Sequence, residues 1–274
     1  CHANASIPLA QGAAKMYEVT GEEKWLDIVK AFWKNAVTDR GSYCTGGQGA
    51  GEFFTPPHLE GRYLTDTNQE FCTVYNMTRL AEYLLRFTGE AQYADYIEKA
   101  LYNGFLAQQN ASTGMPTYFL PMKAGSKKKW GTKTRDFWCC HGTMVQAQTL
   151  YPELIYFADG EKELYVAQYI PSYCRLCLGE KKGSMEQNVN MKYYNEQAFF
   201  DEEDKSQDSR WSVDVKIHME EKAAFTLKLR IPAWVKEEVQ VSVAGKPLAK
   251  EEYRVEEGYL VLHREWKEDV ITLY

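Results

Sequence analysis

The stretches "TGEEKWLDIVK" (20–30) and "TGEAQYADYIEK" (88–99) are two versions of one pattern. Each opens Thr-Gly-Glu. Each then places an aromatic residue (Trp25, Tyr93), an aspartate (Asp27, Asp95) and a β-branched apolar residue (Val29, Ile97) at matching positions, 68 residues apart. A glycine between two helical patterns marks where one helix stops and the next begins. Recurrence of such a unit reads as helical hairpins set in series. A weaker third copy, "ADGEKELY" (158–165), puts Asp159 in the Thr position. The expectation for residues 1–160 is therefore a partial α/α barrel, a toroid of alternating inner and outer helices.

The register has a chemical consequence. Eighteen residues before Thr20, Thr88 and Asp159 stand His2, Glu70 and His141. Equivalent positions in successive hairpins lie at equivalent depth. His2, Glu70 with nearby Cys72, and Cys139-Cys140-His141 are thus predicted to share one rim. A single His or Cys on an apolar helix is usually core, but three loaded spots in one register are less easily assigned to packing.

Residues 161–274 read as strands. In "RWSVDVKIHME", Trp211, Val213, Val215, Ile217 and Met219 alternate onto one face; in "AAFTLKLRIPAW", Phe225, Leu227, Leu229 and Ile231 do. Half-buried antiparallel strands of this kind predict a β-sandwich domain over 161–274. The charged "DEEDKSQDS" (201–209) reads as a solvated turn within it.

The composition is that of a globular chain, 45% apolar and 26% charged over 274 residues. A net charge of −6 argues against nucleic acid or an acidic membrane as partner, and no apolar run approaches a membrane span. Tyr, Phe and Trp number 19, 12 and 7, which fits either a large core or stacking against sugar rings. The seven cysteines (1, 44, 72, 139, 140, 174, 177) are odd in number and irregular in spacing. They make a poor disulfide framework, so thiol usage leans to a cytoplasmic setting. The chain begins "CHANAS" without Met and ends "VITLY" in a strand. The expectation is a piece of a longer protein whose N-terminus, and with it any targeting signal, is missing.

Glu70-x-Cys72 and Cys139-Cys140 offer one carboxylate and three thiols, a donor set zinc accepts. Two adjacent cysteines on one metal imply a non-helical turn, which Gly142 permits. Three uses stay open: a closed zinc site tying two hairpins together, buried thiols with no ligand, or a thiol activated as nucleophile. The third needs a carboxylic acid opposite. "CTGGQGAGEFFTPP" (44–57) carries Glu52 on a flexible glycine-rich segment that is neither a Walker nor a Rossmann loop.

With those residues in place, the sequence resembles the bacterial β-L-arabinofuranosidase family, glycoside hydrolase families 127 and 146, formerly a domain of unknown function. The resemblance lies in "HAN" (2–4), "TGGQGAGEFFTPP" (45–57), "QEFCTVYNMTRL" (69–80), "YIEKALYNGFLA" (96–107) and "WCCHGT" (138–143), in the family's order. It implies the second half of an (α/α)6 barrel followed by β-domains, in a chain about half the family's length. It implies a retaining glycosidase, with Cys139 as nucleophile and Glu52 as general acid/base. Zinc would be held by Glu70, Cys72, Cys139 and Cys140, and His2 and Tyr118 would contact substrate. The partner implied is an arabinofuranose-containing glycan or glycoconjugate, and a homodimer is expected of the full-length protein. Glu-Phe-Cys stands where the family often has Glu-Thr-Cys, and His141-Gly142 where many members have Pro-Pro or Gly-Gly. These departures leave the chemistry intact and the sugar open. An isolated half-barrel need not be active.

Two other functions compete: a zinc-stabilised toroid that binds carbohydrate without turnover, and a toroid lyase or epimerase using His or Tyr as base. The lyase or epimerase would not need vicinal thiols, whereas in the binding toroid Cys139 would serve zinc and stability alone. "CRLC" (174–177) has redox spacing but a strand context, and reads as two cysteines packing in a core. "KAGSKKKWGTKTR" (123–135) reads as a solvated basic loop, with Trp130 able to edge a sugar subsite. His141 has no role assigned.

Overall fold

The computed structural model describes residues 2–190 and 211–274; the charged segment 201–209 lies outside them. The chain divides into two compact units after Leu154. It is an α plus β protein with a multi-stranded sheet.

In the first unit, α1 (Ala3–Thr20) is followed by α2 (Glu23–Trp33), and α3 (Phe71–Thr88) by α4 (Ala91–Ala100). Thr-Gly-Glu proves to be a helix-stop signal. Gly21 (φ 66°) and Gly89 (φ 72°) take the left-handed conformation, and their N–H groups donate to Tyr17 O and Leu85 O. That conformation costs a residue with a Cβ and leaves glycine unstrained. The Thr20 and Thr88 hydroxyls bond back one turn, to Met16 O (2.7 Å) and Leu84 O (2.8 Å). Each also accepts from the N–H two residues on, so the chain exits both helices in the same direction. α2 and α4 both run on into a π-helical turn, Lys34–Thr38 and Leu101–Phe105.

α1 packs on α2 and α3, and α3 packs on α4 and on α5 (Cys139–Ala147). α1 and α3 lie parallel and in repeat register. Asn76 donates to Asn4 (2.8 Å), Lys15 sits over the Tyr83 ring (5.6 Å), and Arg86 bonds Glu18 (2.7 Å). Phe71, Val74, Met77, Leu80, Ala81 and Leu84 of α3 are fully buried. Each large apolar side chain taken from water in this way contributes about 1.5–3 kcal/mol. The facing stripe of α1 is mostly small (Ala3, Ile7, Ala10, Ala14), which lets the two helices approach.

The third copy of the repeat is not a helix end. Its Asp159-Gly160 turns β3 (Tyr156–Asp159) into β4 (Glu163–Val166). Gly160 is left-handed too, at φ 57°. A glycine in that conformation closes a helix or a hairpin equally well, so the local sequence does not distinguish them. α5 stops at Ala147, and Pro152 sits in a short 3-10 turn, Tyr151–Leu154, that leads into β3.

In the second unit the strands join one nine-stranded sheet, with backbone order β3-β4-β7-β11-β8-β9. β5 (Ser172–Leu178) pairs with β6 (Lys181–Asn190), and β6 with β7 (Ser212–Arg230). β8 (Val241–Val243) lies between β9 (Lys246–Pro247) and β11 (Tyr259–Leu273), and β10 (Arg254–Glu256) pairs with β11. The two segments read as separate strands around 211–231 are one 19-residue strand, β7, because Met219, Ala223 and Phe225 stay on a single parity. β11 changes parity at a register shift after Trp266, so Trp266 and Ile271 both reach the core. Of "CRLC", only Cys174 packs against that core; Cys177 is exposed. Positions three apart on a strand face opposite sides. His218 and His263 lie on the exposed face.

Candidate active site

Three backbone features bring the reactive side chains of the first unit together. The first is a tight hairpin, β1 (Gly49–Ala50) with β2 (Phe53–Phe54), whose two-residue turn is Gly51-Glu52. Gly51 has φ 59°, as such a turn requires, and Glu52 stands at its tip. The turn is held: Glu52 O accepts from Ala3 N–H (2.8 Å) and Gly51 N–H donates to Thr67 O (2.7 Å). The expectation of a flexible segment is therefore corrected.

The second feature is an extended pairing of 69–71 with 118–120. Phe71 N–H donates to Tyr118 O (3.1 Å) and Leu120 N–H to Gln69 O (3.1 Å). Gln108 clamps it, donating to Gln69 O (3.3 Å) and Thr117 O (3.2 Å) and accepting from Gln69 Nε2 (2.8 Å). Gln69 pays a backbone cost here, at φ 37°.

The third feature is the set of helix starts. His2 caps α1 with its side chain, Glu70 stands at the N-cap position of α3 without a side-chain capping bond, and Trp138 precedes α5. The expected non-helical turn at Cys139-Cys140 is absent; both are the first residues of α5. At a helix start no preceding turn crowds the side chains, so neighbouring residues can both lean toward one point ahead of the helix. Their sulfurs lie 4.0 Å apart.

All seven residues singled out from the sequence meet. Tyr118 OH donates to Glu52 Oε1 (2.6 Å) and lies 3.2 Å from Cys139 Sγ. His2 Nε2 is 3.2 Å from Glu52 Oε2, while its Nδ1 accepts from Ala5 N–H (3.3 Å). Cys140 Sγ is 3.3 Å from Cys72 Sγ and 3.9 Å from Glu70 Oε1. One ligand atom from each of Glu70, Cys72, Cys139 and Cys140 lies within 4.8 Å of every other. Glu70, Cys72 and Cys140 are buried and Cys139 is exposed.

This donor set fits a soft divalent cation. Bonds of about 2.0–2.3 Å in tetrahedral geometry place donor atoms roughly 3.3–3.8 Å apart, close to the spacings here. Glu70 is 2% exposed and makes no ion pair among the described residues. Burial raises its pKa, opposed by the hydrogen bond from Thr73 Oγ1 (3.0 Å). Burial also holds the Cys140 and Cys139 thiols above the ordinary range, and the hydrogen bond from Cys140 lowers that of Cys72. A cation held by these four groups would place positive charge beside the buried carboxylate and thiols. Tyr118 is pushed strongly upward, first by burial and then by its bonds to Cys139 and Glu52, so it stays a donor.

Sequence reasoning passed over Gln69 and Gln108, and Thr143, whose hydroxyl lies 3.1 Å from Cys72 Sγ. Gln69 adjoins Glu70 and was within reach. Thr143 becomes visible only once α5 is known to start at Cys139, one turn earlier.

Residues 1–153 match the family model of the GH127 β-L-arabinofuranosidase catalytic domain, and residues 163–274 that of its middle domain. The chain belongs to the GH127 β-L-arabinofuranosidase family. A non-reducing end β-L-arabinofuranosidase of Bifidobacterium longum subsp. longum is 36% identical over 103 residues, covering 36% of this GH127 chain and 15% of that protein. A solved GH127 β-arabinofuranosidase superposes with a TM-score of 0.80 at 24% identity. A GH127 β-L-arabinofuranosidase from Geobacillus stearothermophilus T6 gives 0.79 at 22%. Each superposition covers 100% of this chain and 42% of the other, a likeness of fold. This GH127 chain thus spans about two-fifths of the length of these structures.

Proposed function

We propose that the chain carries the reacting groups of a retaining glycoside hydrolase that releases L-arabinofuranose from a glycan or glycoconjugate. The observation that supports it is the Tyr118 hydroxyl bonded to both Glu52 and Cys139, at 2.6 and 3.2 Å. A carboxylate and a nucleophile joined through one hydroxyl are less than about 6 Å apart. Retaining pairs stand roughly 5–5.5 Å apart, whereas inverting pairs leave about 6.5–9.5 Å for a water.

In this reading Cys139 Sγ attacks the anomeric carbon as Glu52 gives its proton to the departing oxygen. A carbon–sulfur bond forms, the glycosidic carbon–oxygen bond breaks, and the aglycone leaves with the proton. Glu52, now a carboxylate, takes a proton from water as that water attacks the same carbon. The sulfur departs and the configuration is retained. Tyr118 orients both groups, and His2 holds the second oxygen of Glu52 at the sugar's edge. Glu70, Cys72, Cys139 and Cys140 would hold the metal, for which three thiols favour zinc. When bound, zinc keeps these thiols deprotonated near neutral pH.

The helical unit, which ends at Leu154, is read as part of an (α/α)6 toroid and the strands from β3 onward as a β-sandwich domain. The contacts of α1 with α3 and of α3 with α5, with α2 and α4 behind them, support inner and outer rings. A closed structural zinc site without turnover is less well supported, because one of its four donors, Cys139, is exposed. The test is full-length protein with an aryl β-L-arabinofuranoside. A sugar adduct on the peptide containing Cys139 is the expected result. Hydrolysis by Cys139→Ala at near the wild-type rate would refute the mechanism.

A further inference from the structure

His141 has no part in that chemistry, yet its surroundings are specific. Its ring meets Trp138 edge to face, with centroids 5.6 Å apart at 74°. Trp138 meets Tyr118 in the same manner, at 5.9 Å and 73°. On its other side the imidazole presses on the backbone of Gly131. A Cβ built at Gly131 would stand 2.4 Å from His141 Nε2 and 3.0 Å from its Cδ2. Gly131 closes the hairpin that carries Tyr118. Its N–H donates to Pro116 O (2.9 Å), Trp130 bridges to Thr117, and Thr117 Oγ1 donates to Lys129 O (3.0 Å). Neither ring nitrogen has a hydrogen-bond partner among the described residues, and both are buried.

We propose that His141 is a positioning residue: a wedge between the start of α5 and the 116–131 hairpin that, through Trp138, fixes Tyr118 where its hydroxyl bridges Glu52 and Cys139. The inference rests on the reading of those two as the reacting pair. The ring acts by shape, since no polar bond orients it. Truncation to alanine removes the support behind Trp138, which is 58% exposed and free to turn toward solvent. The Tyr118 ring then loses its edge contact, and the hydrogen bonds that align acid and nucleophile loosen. Adding a methyl at Gly131 drives the same ring from the opposite side. Removing the ring and adding the methyl together relieves the clash.

The experiment compares full-length wild type, His141→Ala, His141→Phe, Gly131→Ala and the His141→Ala/Gly131→Ala double variant. It measures kcat and KM on an aryl β-L-arabinofuranoside, zinc content and Tm. His141→Ala and Gly131→Ala should lower kcat about tenfold or more, since ångström-scale misplacement of reacting groups costs that much. KM should stay within about twofold and zinc content should not change. Phenylalanine, of the same shape class, should keep kcat within about threefold, and the double variant should exceed Gly131→Ala. The rate of Cys139 alkylation by iodoacetamide reads the same geometry without turnover: altered several-fold in His141→Ala and Gly131→Ala, unaltered in His141→Phe. A His141→Phe variant as impaired as His141→Ala would overturn the wedge. So would losses that track zinc content or Tm, or no loss at all. If wild type is inactive on the arabinofuranoside while the alkylation pattern holds, the reading of function fails and the wedge stands.

Discussion

Replacing Glu70 by glutamine should have opposite consequences with and without metal. The carboxylate is 2% exposed, its pKa is raised by burial, and its donors are the Thr73 hydroxyl at 3.0 Å and the Cys140 thiol at 3.9 Å. Glutamine keeps the length of the side chain and an oxygen for Thr73 to bond. In chelator-treated protein the change removes a buried charge that makes no ion pair among the described residues, so stability should hold or rise by up to about 1 kcal/mol. In zinc-loaded protein it removes a charged ligand. Even groups that only support a ligand cost about 10–100-fold in affinity, so a loss of at least ~100-fold is expected. That is about 2.7 kcal/mol of linked stability near saturation. For a domain of roughly 150–250 residues it amounts to about 5–10 °C in Tm. Scanning fluorimetry of wild type and Glu70→Gln, each with zinc and with chelator, gives the four values needed, and metal analysis gives the occupancy. An equal drop in both states would show that the carboxylate supports the fold by itself. A wild-type Tm indifferent to chelation would remove the metal from the argument altogether.

Three further outcomes are expected. Cys72→Ala, which removes a buried thiol between Cys140 and Thr143, should lose both metal and thermal stability, whereas Cys139→Ala at the exposed position should lose turnover with a smaller drop in Tm; metal analysis, fluorimetry and hydrolysis separate the two. Gly21→Ala should cost about 1–2 kcal/mol by urea denaturation, because Gly21 sits at φ 66° with open space around its missing Cβ, so only backbone strain is at stake. Glu18 has its pKa lowered by Lys15 and then Arg86, so its contribution is present above the unfolded value of about 4.3 and is lost as pH falls through the folded value. Glu18→Gln should therefore cost less than about 1 kcal/mol at pH 7 and nothing near pH 2, a difference that urea titrations at the two pH values read directly.

The first two copies of the repeat were legible because their signal is local. Thr20 and Thr88 bond one turn back, Gly21 and Gly89 turn the chain, and each device needs only the residues that carry it. The third copy misled for the same reason: Gly160 makes the same left-handed turn in a hairpin, and what separates the cases is the pairing of β4 with β7, which is non-local. In the sheet, alternation identified the core face of β7 correctly at Val215, Ile217, Leu227 and Leu229. It gave no sign that the strand runs unbroken through Glu220–Lys222, because exposed charged residues look alike in a turn and in a strand with a wet face.

The vicinal cysteines show how a correct grouping can rest on a mistaken local geometry. Adjacent side chains in mid-helix point about 100° apart, which argued for a turn at Cys139-Cys140. The register put them on the rim that also holds His2 and Glu70, and a rim is where helices begin. Because α1 and α3 run parallel in register and α5 starts beside the start of α3, their N-termini meet at one level. Each N-terminus presents N–H groups that have no partner within the helix, and the positive end of its dipole. Cys72 N–H lies 3.4 Å from Cys140 Sγ, a donor from the first turn of α3 aimed at the thiol on α5. Carboxylate and thiolate groups therefore gather on the side where the backbone already favours negative charge, and the same repeat that stacks the helices assembles the site. A chain with the same residues displaced by the length of a helix, to the C-terminal rim, would place them against carbonyl oxygens and keep the thiols protonated.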